Sequence, residues 1–296
     1  MALGTFAPGS ENEPKASIVI VLPAWREPAE IVAVESSRVD VPFVDQAIME
    51  LEGAEDYGVL YQRHTLSETG EIRYVAFVDC RGRKAQRAYF TRWHEIAHCI
   101  TTFEQFELPF KRVNGQEILK EPLEKLMDMI AGELGFFPSL FQPVLDREIG
   151  GNRITFGGIE NVRTSFCPNA SSYATLIACA SRVAYPVVVI EAGLAHKKAE
   201  RLNARATPSL RVLRSMSNTA ARSAGMLIHR QWRVPVDSVI ARVHAAPVGG
   251  MAAGVAEDLS NWTSSDGSCL GDFHVYVEAK TFGDRVLAII SHADVL

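Results

Sequence analysis

Apolar positions recur along this chain in two rhythms, and one gives way to the other near residue 138. In the first part, "SIVIVLP" (17–23) is a strand-length apolar run, and "VPFVDQAIMELEG" (41–53) carries Val44, Ile48 and Leu51 at a helical period. "YGVLYQRH" and "IRYVAFVDC" alternate like two strands joined through the polar turn "SETGE". "AQRAYFTRWHEIAHCITTF" predicts a helix with Phe90, Trp93, Ala97 and Ile100 on one apolar stripe. "EPLEKLMDMIAGELGFF" predicts a second helix, opened by Pro122 in its first turn and stopped before Pro138. Beyond it, "GGIENVRTSF" and "SSYATLIACASRV" predict two short helices broken by "CPNA", with Ser171 or Ser172 placed to cap the second. Strand-like runs follow: "YPVVVIEA", "SLRVLRSM", "SVIARVHAA", "FHVYVEAKTF" and "RVLAII", the last two joined by a hairpin turn at "FGDR". The pattern predicts an α+β protein: a tail over 1–15, a first domain over 16–150, a helical linker over 151–184 and a strand-rich domain over 185–296.

A length of 296 residues and a hydrophobic fraction of 47% suit two globular domains with sizeable cores. Charge is uneven. Residues 1–138 carry 14 basic and 22 acidic side chains, a net of -8, and residues 139–296 carry 16 and 13, a net of +3. The excess is densest over 160–233, with 11 basic and 3 acidic, which keeps a nucleic-acid or acidic-protein partner open beside the simpler reading of a solvated surface. The five cysteines (80, 99, 167, 179, 269) form no CxxC pair, as expected for reduced thiols in a cytoplasmic protein. The stretch "MALGTFAPGSENEPK" lacks the basic and apolar regions of a signal peptide, and no apolar run approaches the roughly 20 residues of a membrane span.

Chemistry concentrates in "RWHEIAHCIT" (92–101). On a helix His94 and His98 share one face, about one turn apart, so both imidazoles can reach one ion. Glu95 stands beside that face, where it can take a proton from a water at the ion. A catalytic zinc commonly takes three protein ligands and leaves a fourth place for water. The third candidate lies in "EKLMD", where Glu124 and Asp128 again share a helix face: Glu124 to bind, Asp128 to accept a hydrogen bond from a ligand histidine and fix its tautomer. Glu117, Glu121 and Glu133 are the fallback ligands. Leu123, Leu126, Met127, Ile130 and Leu134 leave this helix little polar surface, and an acidic pair near a buried face needs a cation. The remaining histidines (64, 196, 229, 244, 274, 292) are scattered singly, and Tyr89 or Tyr61 could donate to a developing oxyanion, though nothing in the spacing selects them. Cys99 points away from the ligand face.

"RAYFTRWHEIAH", followed after 25 residues by "EKLMDMIAGELGFFP", resembles the ImmA/IrrE family of bacterial zinc peptidases. The matching positions are Phe90, Thr91, His94, Glu95, His98, Glu124, Asp128, Ala131 and Pro138. The chain departs from the family at Met127, where a small Ala is usual, at Ile130, where Phe is usual, at Trp93, and in a "GELGFFP" ending one residue longer. The resemblance implies one Zn2+ per chain on His94, His98 and Glu124, with Glu95 as general base. It also implies a zincin-like (gluzincin-like) peptidase domain, a helix-turn-helix-like linker and a GAF-like sensory domain. The activity implied is site-specific cleavage of a protein substrate, an XRE-type helix-turn-helix repressor, in a stress or mobile-element response. The competing expectation, motivated by the basic segment and the two short helices, is a DNA-binding or ligand-sensing regulator with a structural metal. Against it, "SSYATLIACASRV" offers few Arg, Asn or Gln side chains to read base edges.

Overall fold

A computed structural model describes residues 20–22, 58–63, 73–78, 85–101, 110–111, 122–197, 207–246, 249–263 and 269–292. The helix expected over 41–53 and the tail over 1–15 lie outside them. The chain divides into two compact units, Met1–Pro138 with Asn169–Ser171, and Ser139–Pro168 with Ser172–Leu296. This division falls at 138/139 rather than at 150/151, and the two short helices group with the strand-rich unit instead of standing apart as a linker.

The first unit contains an antiparallel sheet of β1 (Ile20–Leu22), β2 (Gly58–Arg63), β3 (Arg73–Val78) and β4 (Phe110–Lys111), in the order β1-β3-β2-β4. The register sets Leu60 opposite Ala76 and Tyr61 opposite Val75. Helix α1 (Ala85–Thr101) packs on β2, β3 and helix α2 (Pro122–Gly135). No Pro or Gly interrupts α1, and its side facing inward carries Ala88, Thr91, His94, Glu95 and His98, all buried. Of the predicted stripe, Ala97 is buried, Phe90 and Trp93 are half-buried, and the side chain of Ile100 lies outside the described residues. So α1 buries Thr91, His94, Glu95 and His98 more completely than Phe90 and Trp93, the reverse of an ordinary amphipathic helix.

The second unit is built on a five-stranded antiparallel sheet of order β6-β5-β9-β8-β7. Its strands are β5 (Val187–Ala195), β6 (Ser209–Ser217), β7 (Met251–Asp258), β8 (His274–Phe282) and β9 (Arg285–His292). Central β9 is buried from Val286 to Ser291, which explains why "RVLAII" reads as an unbroken apolar run. Helices α3 (Pro138–Glu148), α4 (Phe156–Phe166), α5 (Ser172–Arg182), α6 (Thr219–Ser223) and α7 (Val239–Ala245) complete the unit. Val188, Ile190, Val212, Met226, Ile240 and the fully buried Trp262 belong to one core cluster. The turn at Gly283–Asp284 has φ 63° at Gly283 only, the signature of a two-residue type II′ hairpin.

Three elements depart from the sequence reading. "SVIARVHAA" is helix α7, not a strand. Ser238 caps it by accepting a hydrogen bond from the Ala241 N–H at 3.1 Å, and Glu257 accepts from the Val239 N–H at 2.8 Å. These two caps override the strand preference of its β-branched residues. Helix α3 went unread because Pro143 lies inside it, and edge strand β7 because Ala and Gly dominate "MAAGVAED" and a register shift interrupts it between Ala252 and Val255. Ser172 is the first residue of α5, with its hydroxyl 3.3 Å from Glu160.

Candidate metal centre

Helices α1 and α2 run antiparallel, because His98 meets Glu124, His94 meets Asp128 and Tyr89 meets Gly135. Small residues make the approach close: Ala88 and Ala131 are buried near this seam, with Met127 filling the interior at 0% exposure. Met127 is thus a core side chain. At the open end of the seam Trp93 lies over Gly135, where an added Cβ would sit 2.8 Å from Trp93 Cδ1. The Tyr89 hydroxyl donates to the Gly135 carbonyl, and its ring stands 5.9 Å from that of Phe136. Tyr89 is therefore committed to bracing the helix pair, not to an oxyanion. The side chain of Tyr61 lies outside the described residues, as does that of Cys99.

Three side chains converge. His94 Nε2 is 3.1 Å from His98 Nε2 and 3.2 Å from Glu124 Oε2, and His98 Nε2 is 3.4 Å from Glu124 Oε1. A tetrahedral ion with bonds of about 2.0–2.1 Å separates its ligand atoms by about 3.3 Å. The contacts sit around that value, those to Glu124 through Oε2 and Oε1 in turn, and one ligand atom from each residue lies within 4.8 Å of the others. His94 Nδ1 is 3.0 Å from Asp128 Oδ1, so Nδ1 carries the proton and donates it to the carboxylate. Its Nε2 then presents a lone pair toward a second imidazole and a carboxylate. Lone pairs and negative charge facing one another are unfavourable unless a cation or a proton lies between them.

The protonation states suit a cation. Burial first, and then the neighbouring His94, push the His98 imidazole down to about 4. Contact with the His94 imidazole, ahead of opposing burial, holds the Glu124 carboxyl below its ordinary value. At neutral pH His98 is neutral and Glu124 is ionised, the forms that bind metal. His94, Glu95 and His98 are each 1% exposed, whereas the Glu124 and Asp128 side chains are 29% and 24% exposed. Glu95 lies about 100° round α1 from His94 and is buried with the pair.

His94, His98 and Glu124 are thus a group that can hold a metal ion, and among the described residues no other group of histidine, cysteine or acidic side chains can. Glu133 is exposed on α2 and outside the group. Glu117, Glu121 and His64 lie outside the described residues, and none of the other five histidines joins a ligating group there. What the sequence reading missed is the brace of Tyr89, Trp93 and Gly135. Its one visible signal was a glycine at the end of a helix, and no periodicity pairs that glycine with an aromatic on another helix. No described helix is long and apolar enough to cross a membrane. A scan against protein-family models matches no family, and a search of curated proteins finds no match.

Proposed function

We propose that the chain is a zinc-dependent endopeptidase with His94, His98 and Glu124 as ligands, Asp128 as the group that orients His94, and Glu95 as the general base. The observation that carries the reading is the set of three near-equal spacings at His94, His98 and Glu124, with a buried carboxylate one residue from the first ligand. Two nitrogens and one oxygen are the protein donor set that a catalytic zinc would use, with water as its further ligand. Zinc in that place supplies a Lewis acid that brings the pKa of water down to about 7. The Glu95 carboxylate accepts the proton of the attacking water and hands it to the leaving amine. Burial of Glu95 keeps bulk water from competing for that proton. Asp128 holds the Nδ1 proton of His94 and so keeps Nε2 available as a donor atom. The seam of small residues and the Tyr89–Gly135 hydrogen bond hold the two helices at the separation these contacts require.

The substrate class rests on the resemblance to ImmA/IrrE peptidases: a helix-turn-helix repressor of the XRE type, cut in the cytoplasm in a stress or mobile-element response. The linker and sensory roles proposed for the second unit have the same basis. The DNA-binding alternative loses its best element, because α5 exposes only Ser172 and Ser181 and buries Thr175, Leu176, Ala178, Cys179 and Ala180.

The deciding experiment is elemental analysis of the purified chain beside Glu124→Ala. The expected result is near one zinc per chain, sharply reduced in the variant. No zinc in the wild type after zinc supply and removal of excess would reject the reading.

A further inference from the structure

The second unit contains a cavity of about 310 Å³ between helices α4 and α5 on one side and strands β8 and β9 on the other. Five of its lining side chains are apolar, Ile159 from α4, Leu176 from α5, Leu287 from β9 and the rings of Phe156 and Phe282, and the rest are polar, the Glu160 carboxylate among them. Phe282, half exposed, stands at the end of β8. The volume lies at the small end of the range for small-molecule sites, which combine such walls with a few fixed polar groups.

One cation faces this cavity. Lys280 on β8 holds its Nζ 4.1 Å from the centre of the Phe156 ring. An ammonium has three donors, and none of them meets a hydrogen-bond acceptor among the described residues. Both anions near it, Glu160 in the lining and Glu278, feel its charge but make their hydrogen bonds to other groups. Glu160 is held by Arg163, with Nε at 3.0 and 2.9 Å from its two oxygens, and accepts from Ser172 as well. Glu278 is buried and receives the Phe156 N–H at 2.9 Å, and burial pushes its carboxyl up. Burial pushes the Tyr173 hydroxyl on the same wall up, against the pull of Arg214, so it brings no negative charge.

A largely apolar chamber whose ammonium makes no hydrogen bond to the described residues selects against two kinds of guest. A cation would oppose Lys280, and a plain hydrocarbon would leave its three donors unused. We propose that this cavity binds a small monocarboxylic acid with an apolar body, its carboxylate on Lys280 Nζ and its hydrocarbon or aryl part against Ile159, Leu176 and Leu287. The site belongs wholly to the second unit, so it stands or falls separately from the metal chemistry of α1 and α2.

Calorimetric titration of the full chain with benzoate and with hexanoate tests this, with benzamide as the uncharged control. One acid is expected to bind saturably at one per chain. A charge-assisted contact of this kind contributes about 1.5–3 kcal/mol, so Lys280→Met and the replacement of benzoate by benzamide should each weaken binding about tenfold or more. Ile159→Trp, which fills the chamber, should abolish it. Circular dichroism checks that each variant folds; if Ile159→Trp does not, Lys280→Met alone decides. No saturable binding of either acid up to about 10 mM overturns the proposal, and so does binding that Lys280→Met leaves unchanged.

Discussion

Replacing Gly135 with Ala sets two known effects against each other. Ala stabilises a helix interior over Gly by about 1 kcal/mol, and less at the final residue of α2, where Gly135 stands. Its φ is not in the left-handed region, so Ala meets no backbone obstacle. The methyl, however, would lie 2.8 Å from Trp93 Cδ1, 3.2 Å from Nε1 and 3.3 Å from Cγ. These atoms are at the root of the indole, not at a flexible tip, so the whole ring must swing or α2 must move. Overpacking of this kind costs about 1–3 kcal/mol. The clash wins, and the net loss is about 1 kcal/mol, a fall in Tm of about 4 °C for a domain of this size. In a Trp93→Ala background the same Gly135→Ala change loses its obstacle and becomes stabilising. Thermal and urea unfolding of the four proteins, in chelator so that metal binding adds nothing to stability, gives the cycle. A coupling near zero, or Gly135→Ala stabilising the parent protein, would refute the argument that Trp93 fills the space of the absent side chain.

Other outcomes follow from the same geometry. Glu95→Gln should retain metal at wild-type stoichiometry and lose about 10²–10⁴ in cleavage rate; cleavage at the parental rate would remove Glu95 from the chemistry. Asp128→Ala should weaken metal binding about 10–100-fold, and Asp128→Asn less, because an amide oxygen can still accept from His94 Nδ1; competition with a chromogenic chelator ranks the three proteins. The apo protein should lose stability as pH falls from about 6.5 to about 4. In that window the unfolded state protonates its counterpart of His98 while the native imidazole, pushed down to about 4, stays neutral. Glu124, held low, adds the same sign below its ordinary range, and urea unfolding between pH 4 and 7 reads the slope, which His98→Gln should flatten.

The grouping of His94, His98 and Glu124 was legible because helix geometry is local. A spacing of four puts His94 over His98, and Glu124 over Asp128, whatever surrounds them. That the two pairs meet rested on the cost of burying carboxylates without a cation, and the 3.0 Å contact of Asp128 with His94 agrees with it. The brace at Gly135 was not legible, since nothing in the order of residues says which aromatic will lie over a glycine 42 positions away. In the second unit, the strands with long β-branched runs, β5, β8 and β9, were found. Helix α7 was not, because Val239, Ile240 and Val243 suit either period and the cap at Ser238 decides between them only once Glu257 is in place. The Lys280 chamber needed three segments far apart in sequence, and no local pattern announces such a cavity.

Exposure within the metal cluster is lopsided: the imidazoles are sealed, and the two carboxylates meet the solvent. This asymmetry governs traffic. An arriving divalent ion encounters negative charge before nitrogen, which raises its local concentration and makes loading fastest in dilute salt. A polyanionic scavenger such as EDTA is repelled by the same gateway, whereas an uncharged bidentate one is not. The two should therefore differ in the speed with which they strip the protein, in an order that their equilibrium affinities for the metal do not dictate.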